Sequence, residues 1–419
     1  MDKLYVRERY LSKLRSYYDS TDMVKILTGV RGSGKSTILE LIIDELTKGS
    51  VKEENIIKIA LDKRPYKGIR SAGELIELLR EQIEGVSGIK YVFIDEIHYI
   101  PGYETALNVI TQNEELSIFI TSSNGYILHP KHLGMLNLRY AIFEIFTLNF
   151  DEYLEMKELY GIVISENLDE EFNNYLMEGA FPYIVANDIH DATKKYSKDV
   201  LNEIFEQDIR HHKRIKNLDE FNAIKSYIIN SFGNPVVIND MQEALAKKLG
   251  KSVRKETLYN YLGILEDARI VYKCSRFDMN SKRIMKGKEK YYLADLSFYF
   301  ANDMYNTLAL ERSLENVIHN YSKSYDYGVA AGKIGRMGVD FILEDIEMDY
   351  AYIQVTDYMD DGEVLENGRI EKEDDEYFPL EKIRDFYPKY VLSLDKIIRK
   401  RNGIKQRNIV DCLKNCKLF

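Results

Sequence analysis

The sequence predicts an α/β protein: a parallel sheet with helices on both faces, a helical region after it, and a smaller α/β domain at the end. Three observations predict it. Short apolar runs alternate with helix-period segments over residues 20–147. A glycine-rich turn, Gly29-Val30-Arg31-Gly32-Ser33-Gly34-Lys35-Ser36-Thr37, stands between the first apolar run and the first long helix. Beyond residue 148 the rhythm turns helical, then passes through helices ending in a hairpin, then returns to strands.

The glycine-rich turn fits G-x-x-x-x-G-K-[ST], a loop that wraps phosphate. Val24–Thr28 reads as a buried strand entering it, and the helix from Ser36 onward is apolar almost all round. Gly29, Gly32 and Gly34 let successive backbone N–H groups, including those of Arg31 and Ser33, point at phosphate oxygens. The helix N-terminus adds positive potential. Lys35 should reach the β- and γ-phosphates, and Ser36, with Thr37 behind it, should offer a hydroxyl to Mg²⁺. ATP and Mg²⁺ are the ligands expected.

The remaining elements of the first domain follow in order. Residues 4–18 form an amphipathic helix whose Tyr5, Val6 and Arg7 line an adenine pocket or simply pack. Asn55–Asp62 is a strand and 72–84 a helix. Tyr91–Glu96 is a buried strand ending in two carboxylates: Asp95 to hold Mg²⁺, Glu96 to activate water as general base. Ser117–Ser123 is another strand, and Thr121, Ser123 and Asn124 at its end can each sense a γ-phosphate or merely cap the strand. Tyr140–Phe146 is the fifth strand, with Arg139 before it. Arg139 is either a surface charge or an arginine that stabilises the transition state across a subunit boundary in a homo-oligomer.

Composition sets bounds. A chain of 419 residues holds two to four domains at ~150 residues each. Net charge −10 excludes a polycation wrapping nucleic acid, so any such surface must be a local patch. Three cysteines, Cys274, Cys412 and Cys416, are too few for a disulfide framework or a four-cysteine zinc site. No apolar run is long enough to span a membrane, and the charged N-terminus is not a signal peptide, so a cytoplasmic protein is expected.

Residues 151–217 read as a helical lid or linker. A basic run, Arg210-His211-His212-Lys213-Arg214, closes it; Arg210 or Arg214 could touch phosphates, and the histidines read as a solvated face. Residues 218–296 read as a winged helix: helices at Phe221–Phe232, Ile238–Leu249 and Val253–Ala268, then strands at Arg269–Phe277 and Lys290–Ala294. Residues 251–290 carry eleven Lys/Arg against five Asp/Glu. Arg254, Lys255 and Asn260 near the third helix, and Lys282, Arg283 and Lys286 on the wing, are the DNA-contact candidates; the alternative is a protein-contact module. In 297–419, Glu315 on a helix and Asp340 on a strand match positions that hold Mg²⁺ for phosphodiester cleavage. The third position reads Gln354-Val355-Thr356 where [DE]-x-Lys is needed, so an inactive nuclease-like scaffold is expected.

The chain resembles a prokaryotic group of AAA+-type ATPases fused to a C-terminal domain of unknown function. The carriers are GVRGSGKST (29–37), VFIDE (92–96), ITSSN (120–124), LRYAIFEIFTLNF (138–150), GAFP (179–182), NYLGILEDA (260–268), YYLAD (291–295), LENV (314–317), VDF (339–341), YIQV (352–355) and YPKYV (387–391). The resemblance implies ATP binding with slow hydrolysis, a winged-helix segment and a restriction-endonuclease-like core, often degraded. Three positions depart from it: Gly32 for an arginine, Ser122 for a glycine, and Leu138 for a glycine before Arg139. The expected domains are therefore 1–150 (P-loop ATPase), 151–217, 218–296 and 297–419. The expected activity is Mg²⁺-dependent ATP hydrolysis that drives or gates the C-terminal modules on DNA. The alternatives are a nucleotide switch recruiting a protein and a Mg²⁺-dependent nuclease.

Overall fold

The computed structural model describes residues 4–415 except 113–114, 190–191, 211–214, 304 and 360–370. Two compact units result: residues 1–147 with 267–269, and residues 148–266 with 270–419.

The first unit runs α1 (Glu8–Arg15), β1 (Met23–Thr28), α2 (Lys35–Lys48), β2 (Ile56–Ala60), α3 (Ala72–Ile83), β3 (Lys90–Asp95), α4 (Tyr103–Ile110), β4 (Leu116–Ser122), α5 (Pro130–Leu133) and β5 (Arg139–Glu144). Its strands pair in parallel in the order β2-β3-β4-β1-β5. Alternate residues serve opposite faces. Val24, Ile26, Val92, Ile94, Ile118 and Ile120 pack with Leu75, Leu79 and Leu107 from α3 and α4. Leu27, Phe93 and Phe119 pack with Leu11, Leu14, Ile38 and Ile42 from α1 and α2. A sheet covered on both sides needs apolar residues at every position, which is why its strands read as continuous runs. Lys25 interrupts β1: fully buried, its Nζ donates to Ser20 O (2.8 Å) and Ser117 Oγ (2.9 Å). The C-terminal ends of β1, β3 and β4 open onto one edge, where a ligand belongs in this class of sheet.

The second unit begins with α6 (Phe150–Tyr160), α7 (Leu168–Glu178), α8 (Pro182–Ala186) and α9 (Thr193–Glu203), and a π-helical turn continues α9 over Ile204–Ile209. The helical stretch therefore changes pitch at 204. His211, His212 and Arg214 lie outside the described residues. Next come α10 (Leu218–Asn230), α11 (Ile238–Leu249), α12 (Lys255–Asp267), β6 (Val271–Asp278) and β7 (Arg283–Leu293). Then follow α13 (Ser297–Asn302), α14 (Leu310–Ser324), β8 (Gly328–Ile334), β9 (Met337–Glu344), β10 (Tyr350–Val355), α15 (Glu371–Glu381), β11 (Lys389–Ser393), β12 (Lys400–Arg401), β13 (Ile404–Asn408) and α16 (Ile409–Lys414).

All eight strands of this unit form one sheet, in the order β12-β13-β11-β10-β9-β8-β6-β7. The hairpin expected as the wing is thus the end of a larger sheet: β6 pairs in parallel with β8, from Ser275↔Ala330 to Asp278↔Lys333. The link is β8, a strand the sequence does not announce. Space demands a glycine at one of its positions: a Cβ on Gly332 would sit 2.8 Å from the Val339 Cβ and 3.1 Å from Ile342.

Candidate nucleotide site

The loop between β1 and α2 is built as its glycines require. Gly29, Gly32 and Gly34 have φ of 142°, 85° and 98°, a region that L side chains rarely enter. A Cβ on Gly29 would lie 2.1 Å from Ile145 O. Lys35 opens α2 and donates to Gly29 O (2.9 Å) and Val30 O (3.1 Å), so its buried ammonium sits at the loop's centre. The Ser33 hydroxyl is buried without a hydrogen-bond partner, and a phosphate oxygen would supply one.

Arg7 braces the loop from behind. It is 4% exposed and donates to Ser33 O (3.0 Å), Phe146 O (2.8 Å) and Thr147 O (3.3 Å). Of the two readings, adenine pocket or packing, the contacts support the structural one, for the guanidinium donates to carbonyls of the loop and of the segment leaving β5. The sequence carries no signal for this.

Asp95 and Glu96 end β3. Asp95 accepts hydrogen bonds from the Thr121 and Ser36 hydroxyls. Burial and the neighbouring Glu96 charge push its carboxyl above the ordinary range, against those bonds and Lys35. Ser36 Oγ and the Asp95 carboxylate are the hard oxygen donors that suit Mg²⁺, which would supply charge neutralisation for phosphate oxygens. Glu96 has φ 57°, and its backbone N–H donates to Thr121 Oγ1 (2.8 Å). Its carboxylate accepts from Ser123 N (2.8 Å) and lies 3.2 Å from His98 Nδ1. Burial opposes ionisation of Glu96, but Lys35, His98 and Arg31 outweigh it and hold the carboxyl well below its usual range. It is therefore an anionic acceptor for a water proton.

Of the three sensor candidates, Thr121 Oγ1 donates to the Asp95 carboxylate and accepts from Glu96 N, whereas Ser123 meets the Glu96 carboxylate only through its backbone N–H, and its hydroxyl is buried without a hydrogen-bond partner. Asn124 is buried, and its Oδ1 caps the next turn through Tyr126 N (2.9 Å). His98 and Ser122 escaped the sequence reading. Ser122 Oγ donates to Asn124 O (2.8 Å) and lies 3.0 Å from His98 Nδ1, so it ties the β4 end to the ring beside Glu96. Arg31 donates to Tyr99 OH (3.0 Å). Thr37 lies within α2. Arg139 opens the edge strand β5, its side chain 79% exposed and 3.7 Å from Asp22. Asp267 and Arg269, which fall in this unit, pair with His129 (2.7 Å) and Glu144 (3.0 Å).

In the second unit the DNA-contact candidates fall on two elements. Arg254, Lys255 and Asn260 lie exposed at the start and outer face of α12, and Lys282, Arg283 and Lys286 lie exposed on the β6–β7 hairpin. Lys290, counted with the wing from sequence, instead turns inward. Its Nζ stands 2.7 Å from Glu315 and 3.5 Å from Asp340. Glu315 also accepts from Tyr292 OH (2.6 Å), and burial with the Asp340 charge pushes its carboxyl up to about 7. Gln354 accepts from Asp340 N (2.9 Å) and donates to Glu376 (3.0 Å). The three nuclease-like positions are thus adjacent, but a lysine bridges the carboxylates and both ends of the amide are occupied. Among the described residues no group of three His, Cys, Asp or Glu side chains is placed to hold a metal ion. No helix among them is long and apolar enough to cross a membrane.

Residues 21–154 match the family model of an AAA domain, and residues 169–307 match that of a domain of unknown function. The chain is 26% identical over 353 residues to an uncharacterized protein of Haemophilus influenzae, covering 83% of this chain and 86% of the relative. It is 28% identical over 308 residues to one of Methanocaldococcus jannaschii, covering 71% and 65%. Among solved structures, the Walker-type ATPase of Pyrococcus abyssi superposes with a TM-score of 0.52 at 15% identity, covering 71% of this chain and 96% of that one. The fold is α/β: a five-stranded parallel sheet like that of P-loop ATPases in the first unit, and a mixed sheet in the second.

Proposed function

We propose that this protein binds ATP with Mg²⁺ and hydrolyses it, and that the cycle drives or gates the action of its C-terminal unit on duplex DNA. One observation carries the hydrolytic part: a buried, anionic Glu96 is held by Ser123 N and His98 beside an Asp95 already bonded to Ser36. The roles follow from position. Lys35 and the N–H groups from Gly29 to Thr37 bind phosphates. Ser36 and Asp95 hold Mg²⁺. Glu96 takes the proton of the attacking water, and Asn124 reports on the γ-phosphate. Arg139, exposed on an edge strand, completes the site of a neighbouring copy. The DNA part rests on the exposed cations of α12 and of the β6–β7 hairpin in a chain of net charge −10. A cleavage role is disfavoured by Lys290 between Glu315 and Asp340 and by the spent amide of Gln354.

The test is steady-state ATP hydrolysis with and without duplex DNA, for the wild type and Glu96→Gln. Stimulation by DNA that is lost in Glu96→Gln, with ATP still bound, is the expected result; such a loss is on the order of a hundredfold or more in kcat. Glu96-dependent hydrolysis indifferent to DNA would replace the DNA partner with a protein one. Unchanged hydrolysis in Glu96→Gln would refute the role of Glu96.

A further inference from the structure

Resting on the DNA reading above, we propose that the duplex is held by one end of the C-terminal sheet, where the β6–β7 and β8–β9 turns stand side by side, and that Ile284 enters a base step from the minor groove. The two turns come from sequence stretches more than fifty residues apart and are brought together by strand pairing. β6 and β8 run parallel with Asp278 opposite Lys333, and Met279 N donates to Lys333 O (2.9 Å). Both chains therefore reverse at the same sheet end, one after Asp278 and the other after Ile334.

Six cations cluster there: Lys282, Arg283, Lys286 and Lys288 from the first hairpin, Lys333 and Arg336 from the second. Among the described residues none of the six forms an ion pair. The one carboxylate at the first turn, Asp278, accepts from Asn280 N and Ser281 N (both 2.9 Å), and of the six cations its charge acts on Lys333. Ile284, 71% exposed, stands among these charges.

Protection of an open edge explains part of the pattern. β7 is an edge strand, and lysines and an irregular backbone at Gly287 (φ 82°) and Lys288 (φ 59°) keep such edges from pairing. Edge protection does not explain Arg336, which lies on an interior turn, and a bare isoleucine on the edge works against it. A branched apolar side chain flanked by cations is the equipment of proteins that wedge into the minor groove while gripping phosphates on either side. The two turns lie about two interstrand spacings apart, ~10 Å, enough for cations to reach both backbones beside a groove ~6 Å wide. The rival surface, α12, is less basic: Glu256 follows Lys255, and Lys251 is paired with Glu220 (2.6 Å).

The experiment titrates the full chain, with ATP, into a duplex carrying 2-aminopurine at a central TA step and a dye at each end, over a range of salt. Replacing Lys282, Arg283, Lys286 and Lys288 together by Gln lowers the slope of log affinity against log salt by about 3–4, and Lys333→Gln with Arg336→Gln lowers it by about 2. Ile284→Ala keeps the salt slope and loses the 2-aminopurine unstacking and the bend. Arg254→Gln with Lys255→Gln changes affinity less than threefold. Far-UV circular dichroism and a thermal transition equal to wild type show that each variant is folded. The proposal is overturned if the α12 pair abolishes binding while the six hairpin changes leave it intact, if Ile284→Ala still unstacks the step, or if single-stranded RNA or an acidic protein binds these residues in preference. Failure of the wild type to bind duplex at any salt would refute the DNA reading, and this surface with it.

Discussion

Arg7→Ala should destabilise the first unit although Arg7 lies outside the phosphate loop. The wild-type guanidinium gives one strong hydrogen bond to Phe146 O (2.8 Å), one good bond to Ser33 O (3.0 Å) and a longer one to Thr147 O (3.3 Å). It also lies 4.7 Å from the centre of the Tyr10 ring. Hydrogen bonds from a charged donor contribute about 1.5 kcal/mol each at the low end, and the ring contact adds about 0.5–1 kcal/mol. With the long bond discounted, the loss is about 3–4 kcal/mol, which for a unit of this size lowers Tm by roughly 10 °C. Because Ser33 O belongs to the loop, nucleotide affinity falls as well. Arg7→Lys keeps the charge but places one small ammonium where a planar fork reached three carbonyls, so it recovers less than half of the loss. Thermal unfolding and titration with a fluorescent ATP analogue measure the two effects. A Tm shift under about 2 °C with unchanged nucleotide affinity would refute the argument that Arg7 braces the loop.

Three further outcomes are expected. His98→Ala removes one of two holds on the Glu96 carboxylate and leaves Ser123 N; kcat falls about tenfold with KM unchanged, and an equal rise in KM would place His98 in substrate binding instead. Burial pushes Lys25 down to about 7, so between about pH 7 and its unfolded value of ~10.4 the unfolded chain binds the extra proton and stability rises with pH. Denaturant unfolding should show the wild type gaining about 1–2 kcal/mol between pH 7 and 9 relative to Lys25→Met; no relative gain would show that its hydrogen bonds keep the lysine charged. Lys290→Met strands Glu315 and Asp340 without their cation and costs about 3 kcal/mol. Adding Glu315→Gln to it should recover at least half of that in a double-mutant cycle, and strict additivity would contradict the pairing.

Much of the first unit was legible because its signals are local. A sheet covered on both faces writes itself as apolar runs, and the phosphate loop needs glycines at fixed offsets whose backbone angles only glycine adopts cheaply. Asp95 and Glu96 were readable because a buried strand rarely ends in two adjacent carboxylates without a use for them. Arg7 and His98 were not readable. Each acts on atoms distant in the chain, Arg7 on carbonyls up to 140 residues away, and neither sits in a spacing that betrays its partners. Thr121, read as a phosphate sensor or a strand cap, donates to the Asp95 carboxylate and accepts from the Glu96 backbone N–H, contacts that the register of β3 against β4 decides.

The second unit hid more, and for one physical reason. Its sheet is closed by β8, whose small residues carry no apolar run, so the hairpin before it read as a free wing. Pairing of β6 with β8 changes what β7 can be. A free wing could move its basic tip independently; β7 instead runs from the exposed Arg283 to Lys290, which lies against Glu315 and Asp340, within one hydrogen-bonded sheet. Any force on the tip acts on a strand whose other end holds a buried charge cluster. That cluster resists displacement, since moving Lys290 would leave two carboxylates in a poorly solvated site. Lys290 therefore anchors β7 at the end opposite the exposed Arg283.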